Sequence, residues 1–572
     1  MTENIYTVKI GGQAGQGVKS IGLMFAKIAT RSGYYTYNYT EYPSLIRGGH
    51  NVMQVNISTQ EVGCPSKNTN LLVALNQQTI DLHLVELVPG TGVLFDSESL
   101  DVSKVSKEAL LFGVPLLKLA SEAGGSELLS NTVALGAAVS LLNGSSELLK
   151  ALITEEFTSK GSEILTANQK AAELGFSWVR ENFTDKIKQI LMPLDQVTPK
   201  MVINGNDAVV LGAIAAGMNF AAIYPMSPIS GMIQCLANHQ EEYNYIYKQP
   251  EDEIAAINMA IGASVAGARS MTATSGGGFC LMTEGLGLAG ITETPVVIVS
   301  GMRPGPATGL PTWSDQGDLQ FMLHASQGEF PRFVLAPGDT QETFDLTMQA
   351  FNLADKYQTP VMILIDKNIC ENEASLNLPD LSSYKEDRGK QVLAREENYQ
   401  RYALSSDGVS TRSIPGVGNY FITNSYAHDT EGFSIESVEE RNNQMEKRMN
   451  KLQTCITNDM PEPKIYGPIE ADLTIVSWGS NKGVIMEALK QLPNVNFLHI
   501  TWMSPFPKDF VQKFLGGAKK IIDIECNYNG QLASLIKEQT GIEIDDKLLR
   551  YDGRPFYTEE IVEKVGGVLK NG

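Results

Sequence analysis

Three clusters in this 572-residue sequence combine residue types that can do chemistry. The first is Glu251-Asp252-Glu253, which leads a stretch of small and apolar residues running from Ile254 to Ser264. Acids in a first helical turn interact favourably with the positive helix end and need no ligand. A carboxyl buried among alanines and glycines can instead hold or share a proton during a reaction. The second is Arg303, just beyond the apolar run Pro295-Val296-Val297-Ile298-Val299. Ligands of parallel α/β sheets collect at the carboxyl ends of strands, and a guanidinium there can grip a carboxylate through two parallel hydrogen bonds. A surface ion pair is the competing reading. The third is Gly11-Gly12-Gln13-Ala14-Gly15-Gln16-Gly17. Glycines between a strand and a helix let backbone N–H groups approach a phosphate. The spacing of Gly12, Gly15 and Gly17 departs from the dinucleotide fingerprint, and a tight turn without ligand explains it equally well.

The elements that must position these residues follow from the apolar patterns. Tyr6-Thr7-Val8-Lys9-Ile10 suits a strand and Ile21 to Ala29 a helix, so the chain opens as a Rossmann-like unit. The expected divisions are a unit over 1–192, a linker over 193–203 with Pro193 and Pro199, and a second unit over 204–373. Its strands, around 295–299, 332–336 and 360–365, are apolar throughout, which predicts a parallel sheet covered on both faces. A polar connector over 374–465 carries one long helix, with Ser437 and Glu440 in capping-box spacing and Met445, Met449 and Leu452 on one face. The βα rhythm resumes over 466–572. The fold class is therefore α/β, with three Rossmann-like units and mainly parallel sheets.

Composition narrows the function. The net charge is −20 with Lys and Arg scattered, which argues against a nucleic-acid or anionic-membrane surface. Six cysteines lie far apart with no Cys-x-x-Cys pair, and the six histidines are equally dispersed, so the sequence offers no metal or cluster site of its own. No apolar run of membrane-spanning length occurs, and Met1-Thr2-Glu3-Asn4 has no basic leader, so a cytoplasmic protein is expected.

Longer matches carry a resemblance. Glu41-Tyr42-Pro43-Ser44-Leu45-Ile46-Arg47-Gly48-Gly49-His50, after the glycine loop, resembles the gamma unit of 2-oxoacid:ferredoxin oxidoreductases. Tyr224-Pro225-Met226-Ser227-Pro228-Ile229-Ser230 is similar to a Tyr-Pro-Ile-Thr-Pro-Ser-Ser turn of the alpha unit, departing at Met226, Ser227 and Ile229. Thr272-Ala273-Thr274-Ser275-Gly276-Gly277-Gly278-Phe279, Leu281-Met282-Thr283-Glu284 and Arg303-Pro304-Gly305-Pro306-Ala307-Thr308-Gly309-Leu310-Pro311-Thr312 follow that unit nearly residue for residue. Asp407 to Arg412 and Glu525 to Leu532 extend the match. The order is gamma, then alpha, in one chain, and the resemblance favours the 2-oxoglutarate enzymes.

The resemblance implies a gamma domain, a pyrimidine-binding-type domain and a transketolase-C-like C-terminal domain. It places Glu253 beside N1′ of thiamine diphosphate and puts Ser227, Arg303 and Thr308 toward the substrate. Tyr224 and Pro225 fall on the cofactor side, and Gly12, Gly15, Gly17 and Arg47 toward coenzyme A. No Gly-Asp-Gly motif occurs. The resemblance assigns the Mg-bound diphosphate and a [4Fe-4S] cluster to a beta subunit, in a dimer of heterodimers serving ferredoxin and, as in a reductive TCA cycle, reversible carbon chemistry. Oxidation of pyruvate or a branched-chain 2-oxoacid is the nearest alternative. A non-redox, transketolase-like thiamine enzyme and a non-catalytic nucleotide-binding module stand further off.

Overall fold

The computed structural model describes residues 5–45 and 48–570, which fall into two compact units. Arg47 lies outside the described residues. Among the described residues no helix is long and apolar enough to cross a membrane.

The first unit comprises the chain up to Ile203 together with Asn372–Pro379. Its strands are β1 (Tyr6–Gln13), β2 (Tyr35–Glu41), β3 (His50–Ser58), β4 (Thr69–Ala74), β5 (Leu87–Asp96), β6 (Leu110–Val114) and β7 (Lys200–Ile203). The sheet runs β6-β5-β4-β1-β3-β2, then Glu373–Asn377 (β14 in chain order), then β7. β1, β4, β5 and β6 are parallel; from β3 onward the pairs are antiparallel. Helix α1 (Val18–Arg31) buries Ile21, Met24, Phe25 and Ile28 in the core against Val8 and Ile10. Two expectations shift here. Residues 200–203 of the expected linker form a strand, and residues 374–377 of the expected connector pair with it. Each is too short to be read as a strand alone, and each is held by main-chain bonds to the other.

The second unit holds Asn204–Glu371 and Asp380–Gly572. One sheet contains β8 (Phe220–Ile223), β9 (Ile246–Lys248), β10 (Ser270–Thr274), β11 (Val296–Met302), β12 (Phe333–Leu335), β13 (Pro360–Asp366) and β18 (Trp502–Ser504). The order is β18-β12-β13-β11-β10-β8-β9, parallel except for β18. Every residue of β10, β11 and β13 is buried, as a sheet covered on both faces requires. A smaller sheet combines β15 (Lys464–Tyr466), β16 (Leu473–Ser477), β17 (Val495–His499), β19 (Ile521–Glu525) and β20 (Asp546–Leu549) in the order β15-β17-β16-β19-β20. Because β18 joins the larger sheet and Trp478, Leu498 and Met503 share a core with Ile298 and Met362, residues 466–572 form one packed body with the larger sheet.

The connector between Asp380 and Ser437 has little regular structure, and buried charges hold it in place. Arg412 and Arg269 both donate to the Asp355 carboxylate, at 3.1 and 2.9 Å. The long helix α4 (Val438–Asn458) starts where expected, with the Ser437 hydroxyl accepting from the Glu440 N–H. Its buried stripe differs from the one expected. Gln444, Lys447, Arg448, Lys451 and Cys455 point inward, while Met445, Met449 and Leu452 are half-buried.

Candidate active site

Helices α2 (Glu253–Val265) and α3 (Gly276–Ile291) flank the carboxyl ends of β8, β10 and β11. The three acids ahead of α2 divide their roles. Asp252 is the N-cap, accepting from the Ala255 N–H at 2.8 Å. Glu253 is turned inward, 3 % exposed, and its Oε1 has no hydrogen-bond partner among the described residues. A buried polar atom without a partner is uncommon and calls for a reason; a ligand N–H donated to Oε1 would be one.

Gly278 makes room for that carboxyl. A Cβ at this position would lie 2.4 Å from Glu253 Oε1 and 2.2 Å from Thr274 Oγ1. Gly278→Ala should therefore push the carboxyl aside while adding modest overpacking strain. Turnover of the assembled enzyme is expected to fall about 100-fold with the cooperative melt retained, since displacement of a reacting group by about 1 Å costs that much. Activity and melting measured together check it; wild-type turnover would mean the carboxyl has no reacting role.

The turn after β8 presents Tyr224, Pro225, Met226 and Ser227 at the same end of the sheet. Tyr224 and Ser227 are half-buried and Pro225 is exposed. Arg303, half-buried just past β11, donates from Nη1 to the Ser227 main-chain oxygen at 2.9 Å. This bond fixes the guanidinium against the turn and leaves its remaining N–H groups for an anionic substrate group. Met226 closes on Thr274, whose hydroxyl lies 3.9 Å from Met226 Sδ, so the turns after β8 and β10 meet. Thr308 is exposed on the loop after Arg303.

That loop carries groups that sequence reasoning missed. Burial pushes Asp318 up to about 6, and the Arg303 charge opposes the rise. Asp315 is pushed up to about 7 by burial and by the neighbouring charges of Asp318 and Asp366. Burial lowers the Arg303 guanidinium, with Asp318 acting against it. Gln316, fully buried between the two aspartates, accepts from Asn481 Nδ2 and the Cys526 N–H, each at 2.8 Å, and donates to the Trp478 carbonyl at 2.9 Å. Gln316 thus pins the loop to the end of the smaller sheet. An Asp-Gln-Gly-Asp run directly after a matched loop was the available signal.

Asp315 carries a pH prediction. Its folded-state pKa lies above the ordinary carboxylate value, so the folded state binds more protons between about pH 4 and 7, and stability is lost as pH rises through that window. Asp315→Asn should reduce the fall in melting temperature between pH 5 and pH 8 by roughly 3–5 °C. An unchanged difference would remove Asp315 as its source.

The glycine loop belongs to the first unit. Gly12 lies inside β1, opposite Asn51, so the first two glycines extend the strand rather than open the loop. Gly15 and Gly17 have positive φ, and Gly17 caps α1 in the left-handed region, where a Cβ would meet Asn131 Nδ2 at 2.3 Å. Asn131 donates to the Gln16 carbonyl at 3.1 Å and holds the loop closed over the helix start.

Residues 7–178 match the family described as "Pyruvate ferredoxin/flavodoxin oxidoreductase", and residues 211–447 match "Pyruvate flavodoxin/ferredoxin oxidoreductase, thiamine diP-bdg". Parallel sheet, buried carboxyl and family match together define a thiamine-diphosphate-binding α/β enzyme subunit. A Sulfolobus sp. 2-oxoacid:ferredoxin oxidoreductase subunit alpha is 33 % identical over 98 % of this chain and 97 % of its own length. The Archaeoglobus fulgidus 2-oxoglutarate synthase subunit KorA is 34 % identical over 64 % of this chain and 99 % of its own. The solved 2-oxoglutarate:ferredoxin oxidoreductase from Magnetococcus marinus, with 2-oxoglutarate, coenzyme A and succinyl-CoA bound, superposes with a TM-score of 0.93 at 31 % identity, covering 99 % of this chain and 100 % of that one. The chain belongs to the 2-oxoacid:ferredoxin oxidoreductase family, aligning over nearly its whole length with the alpha subunits.

The residues present fit one end of the cofactor. The Glu253 carboxyl, without a partner at Oε1 among the described residues, suits N1′ of an aminopyrimidine. Among the described residues no group of three or more His, Cys, Asp or Glu side chains could hold a metal ion. When bound, thiamine diphosphate supplies the nucleophilic carbon and the electron sink for breaking the bond to the carboxylate. On this chain, Glu253 would face the aminopyrimidine end of the cofactor and Arg303 would be the group placed to meet an anionic substrate.

Proposed function

We propose that this chain and a beta subunit together interconvert a 2-oxoacid and coenzyme A with acyl-CoA, CO2 and reduced ferredoxin, and that the 2-oxoacid is 2-oxoglutarate. The observation that carries the reading is Glu253, buried, without a partner at Oε1 and facing Gly278. The Magnetococcus marinus enzyme, with its bound 2-oxoglutarate, coenzyme A and succinyl-CoA, supports the substrate choice. In this reading Glu253 meets N1′ of thiamine diphosphate, with Tyr224 and Pro225 lining the cofactor's pocket. Arg303, Ser227 and Thr308 hold the substrate carboxylate. The beta subunit brings the magnesium-bound diphosphate and a [4Fe-4S] cluster, ferredoxin collects the electrons, and two heterodimers assemble in the cytoplasm. Gly12, Gly15, Gly17 and Arg47 contact coenzyme A.

The test is anoxic reduction of a viologen dye by the co-expressed subunits, dependent on coenzyme A, with 2-oxoglutarate, pyruvate and 2-oxoisovalerate compared. A kcat/KM highest for 2-oxoglutarate supports the substrate. Preference for another 2-oxoacid replaces it, and no reduction with any of them by a complex loaded with thiamine and cluster rejects the reading.

A further inference from the structure

Arg448 on α4 is 2 % exposed, yet neither its Nε nor its Nη1 has a hydrogen-bond partner among the described residues. Its Nη2 reaches only the Met445 sulfur, at 3.9 Å. Buried guanidinium N–H groups are strong donors, and leaving them unpaired costs free energy. The neighbouring carboxylate, Glu293, is already engaged by Lys447 and Lys451.

Arg448 lines a cleft of about 650 Å³ bounded by α2, α3, α4 and the loop before β12. Arg441 adds a second positive charge to its wall. Glu284 and Glu329 also line it, but neither forms an ion pair with Arg441 or Arg448 among the described residues. At the rim, Ile254 and Leu281 are 48 % and 50 % exposed, apolar side chains that solvent alone does not favour. Ile254 directly follows Glu253, so the cleft opens on the helix whose first residue carries the reacting carboxyl.

We infer that this cleft receives an acidic side chain, flanked by apolar residues, from the partner subunit that completes the thiamine site, and that its carboxylate pairs with Arg448. The inference rests on the proposed two-subunit function, since a chain bringing the diphosphate site must approach Glu253. Unpaired buried cation, apolar rim and position beside Glu253 together favour a protein carboxylate over a small anion. An arginine buried at the centre of such a surface with apolar neighbours at its edge is the usual composition of an energetic anchor. The carboxylate meets Arg448 away from bulk water, so the pair acts mainly by slowing dissociation, while the positive charges of Arg441 and Arg448 on the cleft wall steer the approach of an acidic partner and give association its salt dependence.

The test follows dissociation of the co-purified complex on dilution, by mass photometry, between about 50 and 500 mM NaCl, a range over which the Debye length shortens about threefold. Arg448→Met is expected to raise the dissociation constant about tenfold or more and to flatten its salt dependence. Leu281→Glu, on the exposed rim, should weaken association without disturbing the fold. Glu253→Gln should assemble as tightly as wild type while losing turnover, which separates assembly from chemistry. Wild-type dissociation of folded Arg448→Met across the salt range overturns the inference and leaves the function intact. If Arg448→Met does not fold, wild-type dissociation of both Leu281→Glu and Ile254→Lys overturns it. Failure of the wild-type chain to bind a thiamine-bearing subunit rejects the two-subunit function and this inference together.

Discussion

Glu253→Gln is expected to lower turnover of the assembled enzyme by about three orders of magnitude while leaving its melting temperature unchanged. The substitution keeps the side-chain shape and removes the carboxyl that the proposed function sets against the aminopyrimidine. Little structural loss follows, because Oε1 has no protein partner to lose and Asp252, not Glu253, caps the helix. Steady-state viologen reduction and thermal melting of the same preparation check both halves. Turnover above a tenth of wild type would move the proton-holding role to another residue. A drop in activity matched by a drop in melting temperature would make the carboxyl structural.

Glu293→Gln should act the other way, on the fold rather than on the chemistry. Glu293 is fully buried, with Lys447 Nζ at 2.7 Å from Oε1 and Lys451 Nζ at 2.6 Å from Oε2. Arg401 donates to its main-chain oxygen at 2.8 Å. Removing the one negative charge leaves two buried ammonium groups without a counter-ion, a loss of about 3–5 kcal/mol against a total stability of about 5–15 kcal/mol. Soluble yield and urea midpoint of the variant measure it; a midpoint within about 0.3 M of wild type would show that the lysines find other partners.

Glu293 also sets an acid limit. Burial pushes its carboxyl up, but Lys451, Lys447 and Arg401 outweigh it and hold the group well below the usual carboxylate range. A depressed folded-state pKa means that its contribution is present above the unfolded carboxylate value near 4 and is lost as pH falls below it. Part of the acid unfolding of the wild type should therefore be missing from Glu293→Gln.

Helix α4 separates what the sequence made legible from what it did not. Ser437 and Glu440 marked its start correctly, because a cap is a local interaction within one turn. The choice of buried face followed the apolar residues Met445, Met449 and Leu452 and missed the polar stripe, because the attraction that turns Lys447 and Lys451 inward comes from Glu293, more than 150 residues earlier. The same distinction applies to the aspartates of the loop after Arg303. Both are raised chiefly by burial, and Asp315 further by the charges of Asp318 and Asp366, once Gln316 has fastened the loop to a distant sheet.

Residue order alone determined the α/β class, the strand and helix around the glycine loop, the long apolar strands of the central sheet, and the family whose motifs run through Glu253 and Arg303. Each of these is written in local patterns, a period of apolar residues or a turn that only certain residues can make. Tertiary structure decided which of three neighbouring acids is buried, that Arg303 is tied to the turn bearing Ser227, and that residues 200–203 and 373–377 are partners in one sheet. Those outcomes depend on groups far apart in sequence meeting where water is excluded, and there burial and charge, not local propensity, fix which group carries a proton and which ion finds a partner.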